Sequence, residues 1–236
     1  MRPPSLTVIA GPNGSGKSTL TDYLIGQGVE FGKYINADVL AEQNGLVDEE
    51  GSKQAQALAD VAREDCLTKR IDFSFETVMS HESKPQFIKR AFDAGFEVTL
   101  YFVGTGDPQI NVNRVHSRVQ QGGHAVPEDR IVKRYFRSIE LLPQAMISAH
   151  KTVIFDNSQN GDFHWTGTLR PVIESKFSDA TLIVEFYPPV PVWASEALRF
   201  STLGYRKIPT NDESFGTSHS WIFVNPDLGV QKPTKW

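Results

Sequence analysis

Residues 11–18, Gly-Pro-Asn-Gly-Ser-Gly-Lys-Ser, stand between an apolar run, Leu6-Thr7-Val8-Ile9-Ala10, and a helix-compatible stretch that begins at Thr19. This arrangement leaves few folds open. A buried strand must deliver the chain to a tight glycine-rich turn, and the turn must open directly into a helix. In such a loop successive backbone N–H groups point at one locus, and the helix N-terminus adds partial positive charge to it. The motif therefore predicts a triphosphate site built from Gly11, Asn13, Gly14, Ser15, Gly16, Lys17, Ser18 and Thr19. ATP is the expected ligand. Lys17 would reach the β- and γ-phosphates, and the Ser18 hydroxyl would ligate Mg²⁺.

Apolar runs with strand character recur at 6–10, 34–37, 73–78, 98–103 and 152–155. Between them, 52–70 places Ala55, Leu58, Ala59, Ala62 and Cys66 on one helical face, and 84–94 does the same with Phe87, Ile88, Ala91 and Phe92, stopping at Gly95. Strand–helix alternation with short connections predicts an α/β fold, three layers around a mostly parallel sheet, and the glycine-rich loop after its first strand makes it a P-loop fold. Ligands then gather at the carboxyl ends of the strands.

That rule directs attention to the loops after each strand. Asp38 follows the second strand as a candidate catalytic base that would hold the acceptor hydroxyl and take its proton; capping the next helix is the plainer role. Glu76 sits in an otherwise apolar strand, where a carboxylate needs a partner. The candidates are Mg²⁺ through water, a substrate hydroxyl, or an arginine. The fourth strand ends in Gly104 with no acid directly after it, which favours a small-molecule kinase over a mechanical ATPase. Asp107 reads as a helix N-cap with Pro108 at the first helical position.

Local positive charge is concentrated in 114–137, where Arg114, Arg118, Arg130, Lys133, Arg134 and Arg137 face only Glu128 and Asp129. Arg114 and Arg118 are four apart, as are Arg130 and Arg134, so each pair shares a helix face. Residues 120–127 between the pairs read as a hinge and helix restart. The module is expected to be an arginine-rich lid that neutralises charge on the transferred phosphoryl; a solvated helix face is the alternative.

Together, Gly-Pro-Asn-Gly-Ser-Gly-Lys-Ser, Tyr34-Ile35-Asn36-Ala37-Asp38, Phe73-Ser74-Phe75-Glu76-Thr77, the Arg118 to Pro127 segment with its Gly-Gly-His, and Ile131-Val132-Lys133-Arg134-Tyr135 resemble the zeta toxin family, in its short Gly-Gly-His branch, over roughly residues 5–160. The resemblance implies a kinase fold related to UDP-N-acetylglucosamine kinases, which phosphorylate the sugar 3′-hydroxyl. Lys17, Asp38, Arg118, Arg130 and Arg134 would then be catalytic. Asp38, Glu76, Thr77 and Arg114 would meet a small acceptor, a nucleotide sugar, and Asn157 would lie near the adenine. A protein antitoxin is the partner implied.

The 236 residues are 39% hydrophobic and carry a formal net charge of −4, which permits a sizeable core and gives no general case for nucleic-acid binding. The lone Cys66 excludes an intramolecular disulfide framework. No apolar run approaches the roughly 20 residues of a membrane span, and the start of the chain leads straight into the first strand, so a cytoplasmic protein without a membrane anchor is expected. His164, His219 and the other histidines lack metal-ligand spacing. Past residue 177 the pattern changes to apolar runs at 181–187 and 220–224 among many aromatics. The expected division is a kinase domain, 1–177, and a small C-terminal β-rich appendage, 178–236, serving either packing or selection of a substrate or partner.

Overall fold

The computed structural model describes residues 2–46, 48–123, 125–159, 170–178, 181–208 and 219–225. His124, His164, Phe215 and Trp236, singled out from the sequence, lie outside the described residues.

The first half of the chain alternates as expected: β1 (Ser5–Ala10), α1 (Lys17–Gly26), β2 (Lys33–Ile35), α2 (Ala37–Gln43), α3 (Glu49–Lys69), β3 (Phe73–Thr77), α4 (Ser83–Asp93) and β4 (Glu97–Gly104). Two helices follow, α5 (Pro108–Gln120) and α6 (Glu128–Met146), before β5 (Lys151–Asp156). The C-terminal part supplies β6 (Arg170–Ser178), β7 (Thr181–Phe186), α7 (Val192–Glu196), β8 (Arg206–Ile208) and β9 (His219–Val224).

The described strands all belong to one sheet of order β2-β3-β1-β4-β5-β6-β7-β9-β8. The first five run parallel and the remainder pair antiparallel. Chain direction explains the site's place: it leaves β1 toward β2 and β3, then crosses to β4 on the other side, so the crevice opens at the carboxyl end of β1. The strands of the expected appendage extend this sheet through β6, and the expected division after 177 falls at the end of β6. Phe177, Leu182, Val184, Phe186 and Phe223 share one hydrophobic core with Leu6, Phe75 and Leu100.

Local chemistry sets the element ends. β1 is buried along its last five residues, as a central parallel strand must be. The rings of Phe73, Phe75, Phe87 and Phe96 pack edge-on at centroid separations of 5.7–6.2 Å; burying each contributes about 1.5–3 kcal/mol. Asp107 caps α5 by accepting from Gln109 N, with Pro108 behind it. The second strand is shorter than its apolar run because Asn36, in extended conformation, caps α2 and accepts from Asp38 N. The capping role considered for Asp38 thus belongs to Asn36, and Asp38 lies in the first turn of α2.

Candidate active site

The phosphate loop is held by three other parts of the chain. Gly11 N donates to Thr77 O at the end of β3 (3.2 Å), Asn111 Nδ2 of α5 donates to Asn13 O (2.6 Å), and Asn157 Nδ2 beyond β5 donates to Ser15 O (2.8 Å). The grip leaves no room for side chains on the glycines. At Gly16, φ is +102° and a Cβ would stand 2.5 Å from Asn157 Nδ2. At Gly14 it would stand 2.7 Å from Asn111 O. Because Gly16 is also the N-cap of α1 and supplies no side-chain cap, the first-turn N–H groups of that helix are left for an anion. The Ser15 hydroxyl is fully buried and has no partner among the described residues.

Lys17 donates to two carbonyls of its own loop, Gly11 O and Pro12 O, both at 3.0 Å. Burial pushes its ammonium down from 10.5 to about 8, with Glu76 and Asp38 working against that loss and Arg118 and Arg134 adding to it. Both carboxylates and both guanidinium groups therefore act on one locus.

Glu76 proves to be held by hydroxyls. Thr21 Oγ1 of α1 and Tyr34 OH of β2 each donate to Glu76 Oε1 at 2.7 Å. Asn36 Nδ2 donates to the same Tyr34 oxygen at 3.0 Å, and Asn36 Oδ1 accepts from Asp38 N at 2.9 Å. Burial and the Glu76 charge push the Tyr34 phenol well above its ordinary range, so it stays a donor. A continuous polar chain thus joins Glu76 to the turn that carries Asp38, whose carboxylate is exposed. Thr77 behaves differently: its hydroxyl accepts from Met79 N (3.0 Å) and its carbonyl holds Gly11, so both groups support the loop.

The arginine-rich helices α5 and α6 enclose a small core of Val112, Val115 and Ile131, apart from the main one. Arg118 is exposed on α5, and half-buried Arg134 of α6 lies 3.4 Å from Asn13 Oδ1. Burial lowers Arg134 and neighbouring Arg130 lowers it further. Arg114 is engaged elsewhere, donating to Asn157 O (2.9 Å) and Gln159 O (3.2 Å). Arg137 is paired with Glu82 and Glu140, outside the site.

Asn157, expected near the adenine, is buried beneath the loop with its amide on Ser15 O. The segment that carries it is braced by α7. Trp193 Nε1 donates to Asp156 Oδ1 (2.9 Å), Ser158 Oγ donates to the same oxygen, and the indole fills the space where a Cβ at Gly104 would lie, 2.2 Å from the ring. Sequence reading missed Thr21, Tyr34, Asn111 and Trp193. Their only signal is spatial, since the partners lie 37–98 residues away.

The profile of the family described as Zeta toxin matches residues 2–167. An uncharacterised protein of Haemophilus influenzae is 33% identical over 127 residues, 53% of this chain and 88% of that protein. Among solved structures, the native AvrRxo1-ORF1:-ORF2 complex has a TM-score of 0.56 at 15% identity, covering 86% of this chain and 67% of that chain. The same complex with ATP has a TM-score of 0.52 at 15% identity, covering 73% and 58%. The PezAT toxin–antitoxin system of Streptococcus pneumoniae has a TM-score of 0.50 at 16% identity, covering 66% and 69%. At these identities the solved structures speak for the fold, while the profile spans most of the chain and includes the phosphate loop, both acidic strand ends and the arginine helices. By that match the chain belongs to the zeta toxin family and is a P-loop kinase.

Proposed function

We propose that this kinase transfers the γ-phosphoryl group of ATP to a hydroxyl of a nucleotide sugar such as UDP-N-acetylglucosamine. The observation that carries the reading is the convergence of Asp38, Glu76, Arg118 and Arg134 on Lys17. Phosphoryl transfer asks the protein for positioning and charge neutralisation. Asp38, exposed beside the loop, accepts the proton of the acceptor hydroxyl as its oxygen bonds to phosphorus and the bond to ADP breaks. Glu76, fixed by two hydroxyls, orients the acceptor. Lys17 with Arg118, Arg130 and Arg134 neutralises charge on the transferred group.

The Ser18 hydroxyl, exposed at the start of α1 and next to Lys17, is a hard oxygen donor suited to Mg²⁺, with the carboxylates of Asp38 and Glu76 close enough to act on the same lysine. When bound, Mg²⁺ supplies further neutralisation of the β- and γ-phosphate oxygens. ATP as donor is supported by its presence in a structure of the same fold. A protein antitoxin as partner is supported by the toxin–antitoxin system to which PezAT belongs. We place the protein in the cytoplasm; among the described residues no helix is long and apolar enough to cross a membrane.

Acceptor-dependent ADP release with UDP-N-acetylglucosamine tests the reading. Asp38→Asn is expected to lose at least about 100-fold in turnover while ATP affinity is kept. Full turnover in that variant would remove Asp38 from the chemistry.

A further inference from the structure

Across β3 from Glu76 lies a second concentration of positive charge. Phe75 and Glu76 are successive strand residues and point to opposite faces. Over the Phe75 ring sits the guanidinium of Arg63, from α3, 5.0 Å from the ring centroid. The Arg63 side chain is only 4% exposed, and that of Lys84, in the first turn of α4, 16%. Both donate to a single atom, Asp60 Oδ1, Lys84 at 3.0 Å.

Two sequestered cations thus share one carboxylate oxygen. The neighbouring acids are already claimed: Glu64 is held by both terminal nitrogens of Arg90 at 2.7 Å, and Glu82 by Arg137 at 2.6 Å. Burial pushes Arg63 down to about 10, only partly offset by Glu64. Lys84 falls to about 8 through burial, deepened by the Arg63 charge. An excess of buried charge is costly unless something compensates it. The guanidinium fork has five donors, and Asp60 Oδ1 is the one hydrogen-bond acceptor it meets among the described residues. Asp60 itself is 57% exposed, so it can turn away and yield its place.

We propose that Arg63 and Lys84 form a second anion site, which binds a phosphate group of the acceptor. A planar donor fork beside a compact ammonium is the combination that suits a phosphate dianion. The position fits as well, because α4 follows the carboxyl end of β3, the rim on which Glu76 stands. The inference rests on the kinase reading and narrows the acceptor to phosphorylated compounds. A neutral sugar or free nucleoside would leave the two cations to share the single carboxylate of Asp60.

The test begins with the full-length protein saturated with Mg²⁺ and a non-hydrolysable ATP analogue, so that the phosphate loop is occupied. Pyrophosphate is then titrated by calorimetry. Saturable binding is expected, weakened at least about tenfold in Lys84→Met, as loss of a charged hydrogen bond implies. Arg63→Lys, which keeps the charge and loses the fork, is expected to bind with intermediate affinity. Lys84→Met is the principal variant because Lys84 is the less buried of the two and the methionine keeps most of its apolar stem, with folding checked by an unchanged melting temperature. No pyrophosphate binding to the saturated protein, or equal binding by Lys84→Met, overturns the proposal. The preceding analogue titration reports separately on the phosphate loop, so failure of the kinase reading cannot be mistaken for failure of this site.

Discussion

The depressed Lys17 ammonium makes ATP binding a function of pH in a range where few side chains titrate. The charged form holds phosphate, and with the group at about 8 it is roughly nine-tenths charged at pH 7 and roughly one-tenth charged at pH 9. ATP affinity is therefore expected to fall about tenfold between those values, equivalent to about 1.4 kcal/mol. Bound phosphates favour the charged lysine, so binding should also draw in a proton, about half of one per site at pH 8. Calorimetry in two buffers of different ionisation enthalpy reads this uptake directly. In Lys17→Arg the guanidinium stays charged and both effects should vanish. Equal affinities at pH 7 and 9, with no buffer dependence at pH 8, would refute the burial of Lys17 as the controlling factor. The linked stability effect has the opposite sign: the folded-state value lies below the unfolded 10.5, so the unfolded chain binds more protons between about 8 and 10.5 and stability of the ligand-free protein rises with pH there.

Other substitutions probe the supports of the site. Gly16→Ala forces a side chain to φ +102° and into Asn157, costing about 2–3 kcal/mol from backbone strain and the lost Asn157–Ser15 bond, readable as a lower melting temperature and at least tenfold weaker ATP binding. Tyr34→Phe removes the hydroxyl between Glu76 and Asn36; with Thr21 still holding Glu76, the expected loss is about 1 kcal/mol, a roughly fivefold fall in kcat/KM carried by the acceptor's KM. Trp193→Phe keeps an aromatic ring near Gly104 and loses the donor to Asp156, which should raise the KM for ATP a few-fold and leave that for the acceptor unchanged.

What the sequence disclosed follows from the range of the interactions involved. The phosphate loop and the parallel strands were legible because each is specified within ten residues, by glycines, buried runs and caps such as Asp107. Arg118 and Arg134 were legible through helical spacing, and the charge of each acts on Lys17. Glu76 announced itself as a carboxylate in need of a partner, but its partners were beyond reach, since Thr21 and Tyr34 arrive from α1 and β2 only when the sheet forms. The contact made by Asn157 was out of reach as well: its neighbours in sequence say nothing of the Ser15 carbonyl to which its amide donates. β6 was missed altogether. It begins Arg170-Pro171 and sets three successive polar residues, Glu174-Ser175-Lys176, after Val172-Ile173, so it shows no strand period, and what defines it is antiparallel pairing with β5. Trp193 read as one aromatic among many; its indole donor matters because Asp156 and Gly104 face it.

The central claim is that Asp38, Glu76 and Lys17 assemble a phosphotransferase for a phosphorylated hydroxyl acceptor. The most direct measurement is mass spectrometry of UDP-N-acetylglucosamine, other nucleotide sugars, nucleosides and dinucleotides after incubation with the protein and Mg-ATP. One phosphoryl group is expected on a phosphorylated acceptor, and none when Asp38→Asn replaces the native protein. Tight ATP binding with no acceptor modified, or a product formed equally by Asp38→Asn, would contradict the account.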